Sequence, residues 1–271
     1  MDHILAASDL SARSERALRR AFRLAEKHDA KLTVLSVVDE DLPGAMAQKF
    51  LGDTREALEQ LCGSISDHPC TIDVDIADPA AGVLQHLEQS GADLLVLGTH
   101  RPRLQLFAGS TMERIVRDSK GPVLLVHDPA DHAYQSILAG IDMSPPCGAA
   151  LRAALRLAPE AEVTTFHAVH VPYRGFLMPQ GSSAAEAPMI EEATRALDAF
   201  WAAHDLPESC ARPTPVVAGR RELLSRKLIE VEPDLLVLGA HGRGLLMPSH
   251  LGSFTLEILR TPPCDILVVR S

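Results

Sequence analysis

Positive charge is scarce in this sequence. Lys and Arg number 26 against 36 Asp and Glu, a formal net charge of −10 over 271 residues. General nucleic-acid binders neutralise phosphates with clustered cations, so the balance argues against that class while leaving room for one local basic pocket around a small anion. Long apolar runs are also missing. None approaches the ~20 residues of a membrane helix, and no basic segment followed by an apolar stretch marks a secretory leader. The expectation is a cytoplasmic protein with no membrane partner. Paired cysteines are lacking too: Cys62, Cys70, Cys147, Cys210 and Cys264 are scattered and form no CxxC. An odd, dispersed set suits a reducing compartment better than a disulfide framework. The twelve histidines include no HExxH or comparable spacing, which argues against a metal site. The GxxxxGK[ST] loop and the GxSxG nucleophile elbow are both absent.

What is present is a globular balance, 46 % apolar and 23 % charged, with ample material for a core. The chain also repeats itself. Ile4-Leu5-Ala6-Ala7-Ser8-Asp9-Leu10-Ser11 returns 133 residues later as Ile137-Leu138-Ala139-Gly140-Ile141-Asp142-Met143-Ser144. Ala92-Asp93-Leu94-Leu95-Val96-Leu97-Gly98 returns as Pro233-Asp234-Leu235-Leu236-Val237-Leu238-Gly239. Gly109-Ser110 leads through Ile115-Val116-Arg117 to Val123-Leu124-Leu125-Val126, as Gly252-Ser253 leads through Ile258-Leu259-Arg260 to Ile266-Leu267-Val268-Val269. Three blocks in the same order imply two domains, residues 1–130 and 134–271, each of ordinary size.

Each repeat alternates strand and helix patterns. Ile4–Ala7 reads as a strand. Ser11 can then cap a helix with Ala17, Leu18, Ala21, Phe22 and Ala25 at helical spacing. Further strands are expected at 32–38, 71–76, 93–97 and 123–127, with helices at 55–65, 81–89 and 112–118 and a looser segment at 40–51. In the second repeat Ser144-Pro145-Pro146 is a strong helix start. The strand Val163–Val169 leads into a Gly-, Ser- and Pro-rich excursion, Pro172 to Pro188, read either as a plain loop or as a flap. Nearly continuous apolar strands separated by helices imply parallel sheets covered on both faces. Ligands in such sheets settle at the carboxyl ends of strands. That directs attention to Asp9 and Asp142, Ser36-Val37 and His167-Ala168, and Gly98 and Gly239.

After Leu238 come Gly239-Ala240-His241-Gly242-Arg243-Gly244 and, further on, Gly252-Ser253. Glycines at a strand exit permit positive φ and close approach of backbone N–H groups to an anion. A Gly-Ser at a helix start adds donors and the positive end of the helix dipole. The alternative reading is an ordinary turn. Asp9 and Asp142 equally fit a turn or cap role.

The spacing Gly-x2-Gly-x9-Gly-Ser, filled by Gly239, Gly242, Gly252 and Ser253, resembles the nucleotide motif of the universal stress protein family. Both first strands end in the Asp that this family places near adenosine, and Gly109 to Arg117 looks like its final helix. The resemblance implies an α/β fold of two tandem Rossmann-like domains of the adenine nucleotide alpha-hydrolase type, each a five-stranded parallel sheet flanked by helices. It implies ATP, ADP or AMP as ligand, with magnesium accompanying the phosphates. Carried over by position, Gly140, Ile141, Asp142 and Ala168 would meet adenine and ribose. Gly239, His241, Gly242, Arg243, Gly252, Ser253, Phe254 and Thr255 would surround ribose and phosphates. The first repeat departs from this pattern: Arg101 stands where the second glycine is expected and the loop is two residues shorter, so its site is expected to be degenerate. The final strands, Val123–Val126 and Ile266–Val269, would join the two repeats into an internal pseudo-dimer, with a homodimer or another protein as further partners. With no P-loop lysine and no acidic residue between Gly239 and Ser253, a stress-response or signalling module is expected rather than an efficient enzyme. A slow ATPase and a nucleotide-independent scaffold are the alternatives.

Overall fold

The computed structural model describes residues 1–99, 110–169, 183–204, 206–207, 210–240 and 252–270. The first repeat runs β1 (His3–Ala7), α1 (Ala12–His28), β2 (Lys31–Asp39), α2 (Gly44–Ile65), β3 (Cys70–Ala77), α3 (Pro79–Ser90), β4 (Leu94–Gly98), α4 (Thr111–Asp118) and β5 (Val123–Val126). The second runs β6 (Ser136–Gly140), α5 (Pro145–Leu157), β7 (Glu162–Val169), α6 (Ser183–His204), β8 (Pro215–Val217), α7 (Arg220–Val231), β9 (Leu235–Gly239), α8 (Ser253–Arg260) and β10 (Asp265–Val269). Continuous apolar runs become strands buried on both faces, and α1 buries Ala17, Leu18, Ala21, Phe22 and Ala25, the positions its periodicity marks. Ser11 accepts the Ser14 N–H as the cap of that helix.

Two boundaries differ from the sequence expectation. Helix α2 starts at Gly44 rather than near Arg55. Its early turns carry Met46, Ala47, Phe50 and Leu51 at helical spacing, but Pro43, Gly44 and Gly52 read as loop signals, and only Ala47 of these turns is buried. Helix α6 starts at Ser183 and includes Pro188, where composition suggested loop as far as Pro188. The run Ala184-Ala185-Glu186-Ala187 favours helix strongly enough to outweigh the proline's signal. The rest of that excursion, and with it the flap reading, lies outside the described residues.

All ten strands form one sheet in the order β3-β2-β1-β4-β5-β10-β9-β6-β7-β8. Pairing is parallel within each repeat and antiparallel between β5 and β10, where Leu267 lies opposite Leu124. The two five-stranded sheets are therefore continuous. One face carries α1, α2, α5 and α6 over Ile4, Val34, Ile137 and Val237. The other carries α3, α4, α7 and α8 over Leu5, Leu95, Leu138 and Leu236. Because β5 and β10 run in opposite directions, the carboxyl ends of the two parallel sets emerge at opposite edges of the sheet.

The connection between the repeats crosses this seam over a buried carboxylate. Asp265, fully buried at the start of β10, accepts the N–H groups of His127 and Asp128 at 2.7 and 3.0 Å and the Tyr134 hydroxyl at 2.5 Å. Arg20 of α1 supplies the countercharge, its Nε 3.4 Å from Asp265 Oδ2 but outside hydrogen-bond geometry. The same guanidinium lies 4.1 Å from the Tyr134 ring centre and donates to the His132 carbonyl at 2.6 Å. Burial, reinforced by the Asp265 charge, pushes the Tyr134 hydroxyl well above its ordinary pKa. Removing one partner of such a buried pair typically costs roughly 3–5 kcal/mol.

A second device pins the start of each repeat. Asp93 accepts the N–H groups of Asp2 and His3, and Asp234 accepts those of Gln135 and Ser136. In the second repeat His132 is added, held between Asp131 (2.6 Å) and Asp234 (2.9 Å). Hydrogen bonds to Asp234 and then Asp131 raise the His132 pKa above 6.5. A raised folded-state pKa stabilises the fold in full below the unfolded value and loses that contribution as pH rises through the folded one. The melting-temperature advantage of the wild type over His132→Asn should therefore be largest below about pH 6.5 and shrink towards pH 9. An advantage that grows with pH in a thermal-melt series would contradict this.

Candidate functional site

Each repeat has the strand order 3-2-1-4-5, with its switch point between the first and fourth strands. A cavity of about 270 Å³ opens at that point in the second repeat, at the carboxyl ends of β6, β7 and β9. Its walls include Gly140, Ile141, Asp142, Ala168, Gly239, Gly252, Ser253, Phe254 and Thr255. These are nine of the twelve site positions expected from sequence. The other three, His241, Gly242 and Arg243, lie outside the described residues.

Local chemistry accounts for each placement. Asp142 closes a tight turn: its Oδ1 accepts the Ser144 N–H at 3.0 Å and the Ser144 hydroxyl at 2.6 Å. Met143 within the turn takes φ 61°. The first repeat builds the same turn, with Asp9 accepting the Ser11 N–H at 3.0 Å and Leu10 at φ 60°. Asp142 thus fills the turn role while its residue lines the cavity. Gly140 leaves room for Phe166, since a Cβ there would lie 3.2 Å from the ring.

Gly239 serves close packing rather than positive φ. It is absent from the left-handed region, and a Cβ on it would lie 2.7 Å from the Cys147 nitrogen and 2.9 Å from its Cα. The first turn of α5 therefore rests directly on the end of β9. Gly98 does the same for α1, with a Cβ 2.7 Å from the Arg13 carbonyl oxygen. This corrects the expectation of a φ-dependent exit at Gly239. Gly252 is likewise extended, at φ −57° and ψ 144°. Phe254 joins the apolar layer with Leu259, so its bulk is partly absorbed by the core.

His167, marked from sequence only as a strand-end residue, also lines the cavity, and three further wall residues were not anticipated: Phe166, Leu238 and Arg220. Buried His167 places Nδ1 2.7 Å from the Ile141 carbonyl oxygen. A carbonyl only accepts, so Nδ1 donates this bond and Nε2 is left for a further partner. Arg220, exposed at the first position of α7, forms no ion pair among the described residues. Its signal in the sequence is weak because the preceding strand, β8, is three residues long. Cys147 also stands at this edge, its thiol donating to the Gly140 carbonyl at 3.6 Å. Burial raises its pKa to about 12, which makes it an inert thiol rather than a nucleophile.

The helix termini differ between the repeats. In the first, Asp78 accepts the Ala81 N–H at the start of α3, and Ser110 accepts the Glu113 N–H at the start of α4. In the second, the cap positions of α7 and α8 are Gly219 and Gly252, and neither helix has a side-chain cap bond. Among the described residues, two helix N-termini with no side-chain cap therefore meet the second cavity. Their counterparts at the first cavity are already capped.

The family model for the universal stress protein family matches residues 1–127 and again 133–270. The chain belongs to the universal stress protein family. A universal stress protein of Mycolicibacterium smegmatis is 28 % identical over 98 % of this chain and 96 % of its own length. Universal stress protein A homolog 1 of Coxiella burnetii is 30 % identical over 46 % of the chain and 94 % of its own length, a single repeat's worth. The crystal structure of a universal stress protein from Archaeoglobus fulgidus superposes with a TM-score of 0.67 at 17 % identity, covering 99 % of this chain and 96 % of that one. The tandem α/β architecture is thus shared across the full length. Among the described residues no helix is long and apolar enough to cross a membrane.

The packing argument makes a stability prediction. Gly239→Ala should lower unfolding free energy by about 1–3 kcal/mol, because backbone on both sides must shift. Gly63→Ala, in α2 with nothing within 4 Å of the added carbon, should be neutral or stabilising by up to ~1 kcal/mol. Urea denaturation of both variants decides, and equal effects would refute the close-approach account.

Proposed function

We propose that this protein binds an adenine nucleotide, ATP or its di- or monophosphate, in the cavity of the second repeat and acts as a stress-response module rather than an efficient enzyme. The observation that carries this reading is the pair of uncapped N-termini of α7 and α8 facing one cavity. N–H groups at the positive end of a helix dipole favour phosphate, and Arg220 adds a cation to the lining. Ile141, Phe166, Ala168 and Leu238 give part of the lining the apolar character a purine face needs. Asp142 and His167 offer polar partners to ribose hydroxyls and the exocyclic amine. His241, Gly242 and Arg243 complete the family's phosphate loop by sequence position, and magnesium would accompany the phosphates as it commonly does.

The module reading rests on what the described walls hold. A phosphoryl-transfer site needs a carboxylate placed for metal as well as a clamp. Asp142, the acidic residue of the described walls, already accepts two hydrogen bonds through Oδ1 within its own turn. Slow hydrolysis and a nucleotide-independent scaffold remain the competing readings. The setting that fits a chain with five free thiols is the cytoplasm.

Calorimetric titration of ATP, with and without magnesium, into the full chain tests the reading. Arg220→Glu should weaken binding about tenfold or more, whereas Arg13→Glu, in the first repeat, should leave it within twofold. No binding heat at millimolar ATP, or equal losses in the two variants, would overturn the assignment and favour the scaffold.

A further inference from the structure

The first repeat also has a cavity, about 290 Å³, at the carboxyl ends of β1, β2 and β4. It lies at the opposite edge of the sheet, and strand register allows the two cavities to be compared position by position. Ala7 pairs with Leu35 as Gly140 pairs with Phe166, so Val37 occupies the place of Ala168. Pro79 opens α3 where Arg220 opens α7. Aligning Gly109-Ser110 with Gly252-Ser253 puts Met112 in the place of Thr255. Each of these three exchanges removes a cation or a hydroxyl, or adds apolar bulk.

Several polar groups at this end are engaged in capping. Asp78 and Ser110 cap α3 and α4, and Ser11 caps α1. The Ser8 hydroxyl donates to the Ser14 hydroxyl at 3.0 Å. Among the described residues two charged side chains line the cavity, Asp9 and Arg13, and they are of opposite sign. Asp9 faces its own turn through the Ser11 N–H. Among the described residues the starts of α1, α3 and α4 each hold a side-chain cap, so a polyphosphate would find fewer uncapped helix donors here than at α7 and α8. An apolar body would instead meet Val37, Val83, Leu97, Met112 and Ile115.

We propose that the N-terminal repeat is a second ligand site selective for a small neutral amphiphile, an apolar chain or ring carrying a single hydroxyl or carbonyl. Its oxygen would sit among Ser11, Arg13 and Thr111, and its body against the five apolar side chains. The cavity is close in volume to that of the second repeat, so the difference in occupant rests on the lining rather than on size. The proposal does not depend on whether the second repeat takes nucleotide.

The test is methyl-labelled NMR of the full chain titrated with 1-octanol, 1-hexanol, octanoate and ATP. Octanol should give saturable shifts of the Met112 and Ile115 methyls and leave those of Ile141 and Leu238 unmoved. Hexanol should bind about tenfold more weakly for the loss of two methylenes, and octanoate no more tightly than octanol. ATP should leave the Met112 and Ile115 signals in place. The proposal is overturned if octanol moves no methyl of this cavity, if it moves the second cavity's methyls equally, if octanoate binds tenfold better than octanol, or if ATP displaces it. A failed ATP titration alone would count against the nucleotide reading and leave this one standing.

Discussion

The antiparallel hydrogen bonding of β5 to β10 is the constraint on which the rest of this molecule depends. It turns two half-sheets into one, with Leu124 and Leu267 at the centre of the seam. Without it, each repeat would expose an apolar edge strand, an aggregation liability that soluble proteins manage explicitly. The seam also decides where the cavities lie. Parallel strands present their ligand-binding ends on one edge, so reversing direction at the seam sends the two cavities to opposite edges. The occupants of the two sites therefore need not meet, and nothing requires them to be alike.

The two halves of the seam are built differently because the chain has only one linker. Asp265 begins β10, and Pro122 stands in the corresponding place before β5. A buried carboxylate there collects two linker N–H groups, the Tyr134 hydroxyl and the charge of Arg20. Desolvating that charge is costly, and several well-placed donors offset the cost. The result ties α1 of the first repeat to the last strand of the second. Further contacts across the seam, Arg260 to Glu113 at 2.7 Å and Arg270 to the Arg117 carbonyl, fix the outer helices.

Much of this was legible in the sequence, for definable reasons. Strands such as Leu94–Gly98 and Leu235–Gly239 are short, apolar and repeated, and the residues after them had to lie at the strand ends. That logic pointed to Asp142, His167-Ala168 and Gly239, the family resemblance added Gly140 and Gly252, and all of them line one cavity. Helix capping was less legible, because whether Asp78 or Ser110 spends its oxygen on its own helix depends on rotamer and turn geometry. Arg220 was hidden by the brevity of β8. Gly239 was visible as an important glycine, but its reason, the 2.7 Å approach of the α5 backbone, belongs to tertiary packing. The early turns of α2 were obscured by Pro43, Gly44 and Gly52, which read as loop signals although the backbone from Gly44 is helical.

The central claim is that one duplicated fold carries two unlike sites, separated by the loss of donors and glycines in the first repeat and their retention in the second. Native mass spectrometry of the intact chain in excess ATP reads this directly as the number of nucleotides held per polypeptide. The account predicts a single saturable adduct, one nucleotide per chain. Two adducts of similar affinity would show that the first repeat binds the same ligand and contradict the division, and none at all would remove the nucleotide from the second.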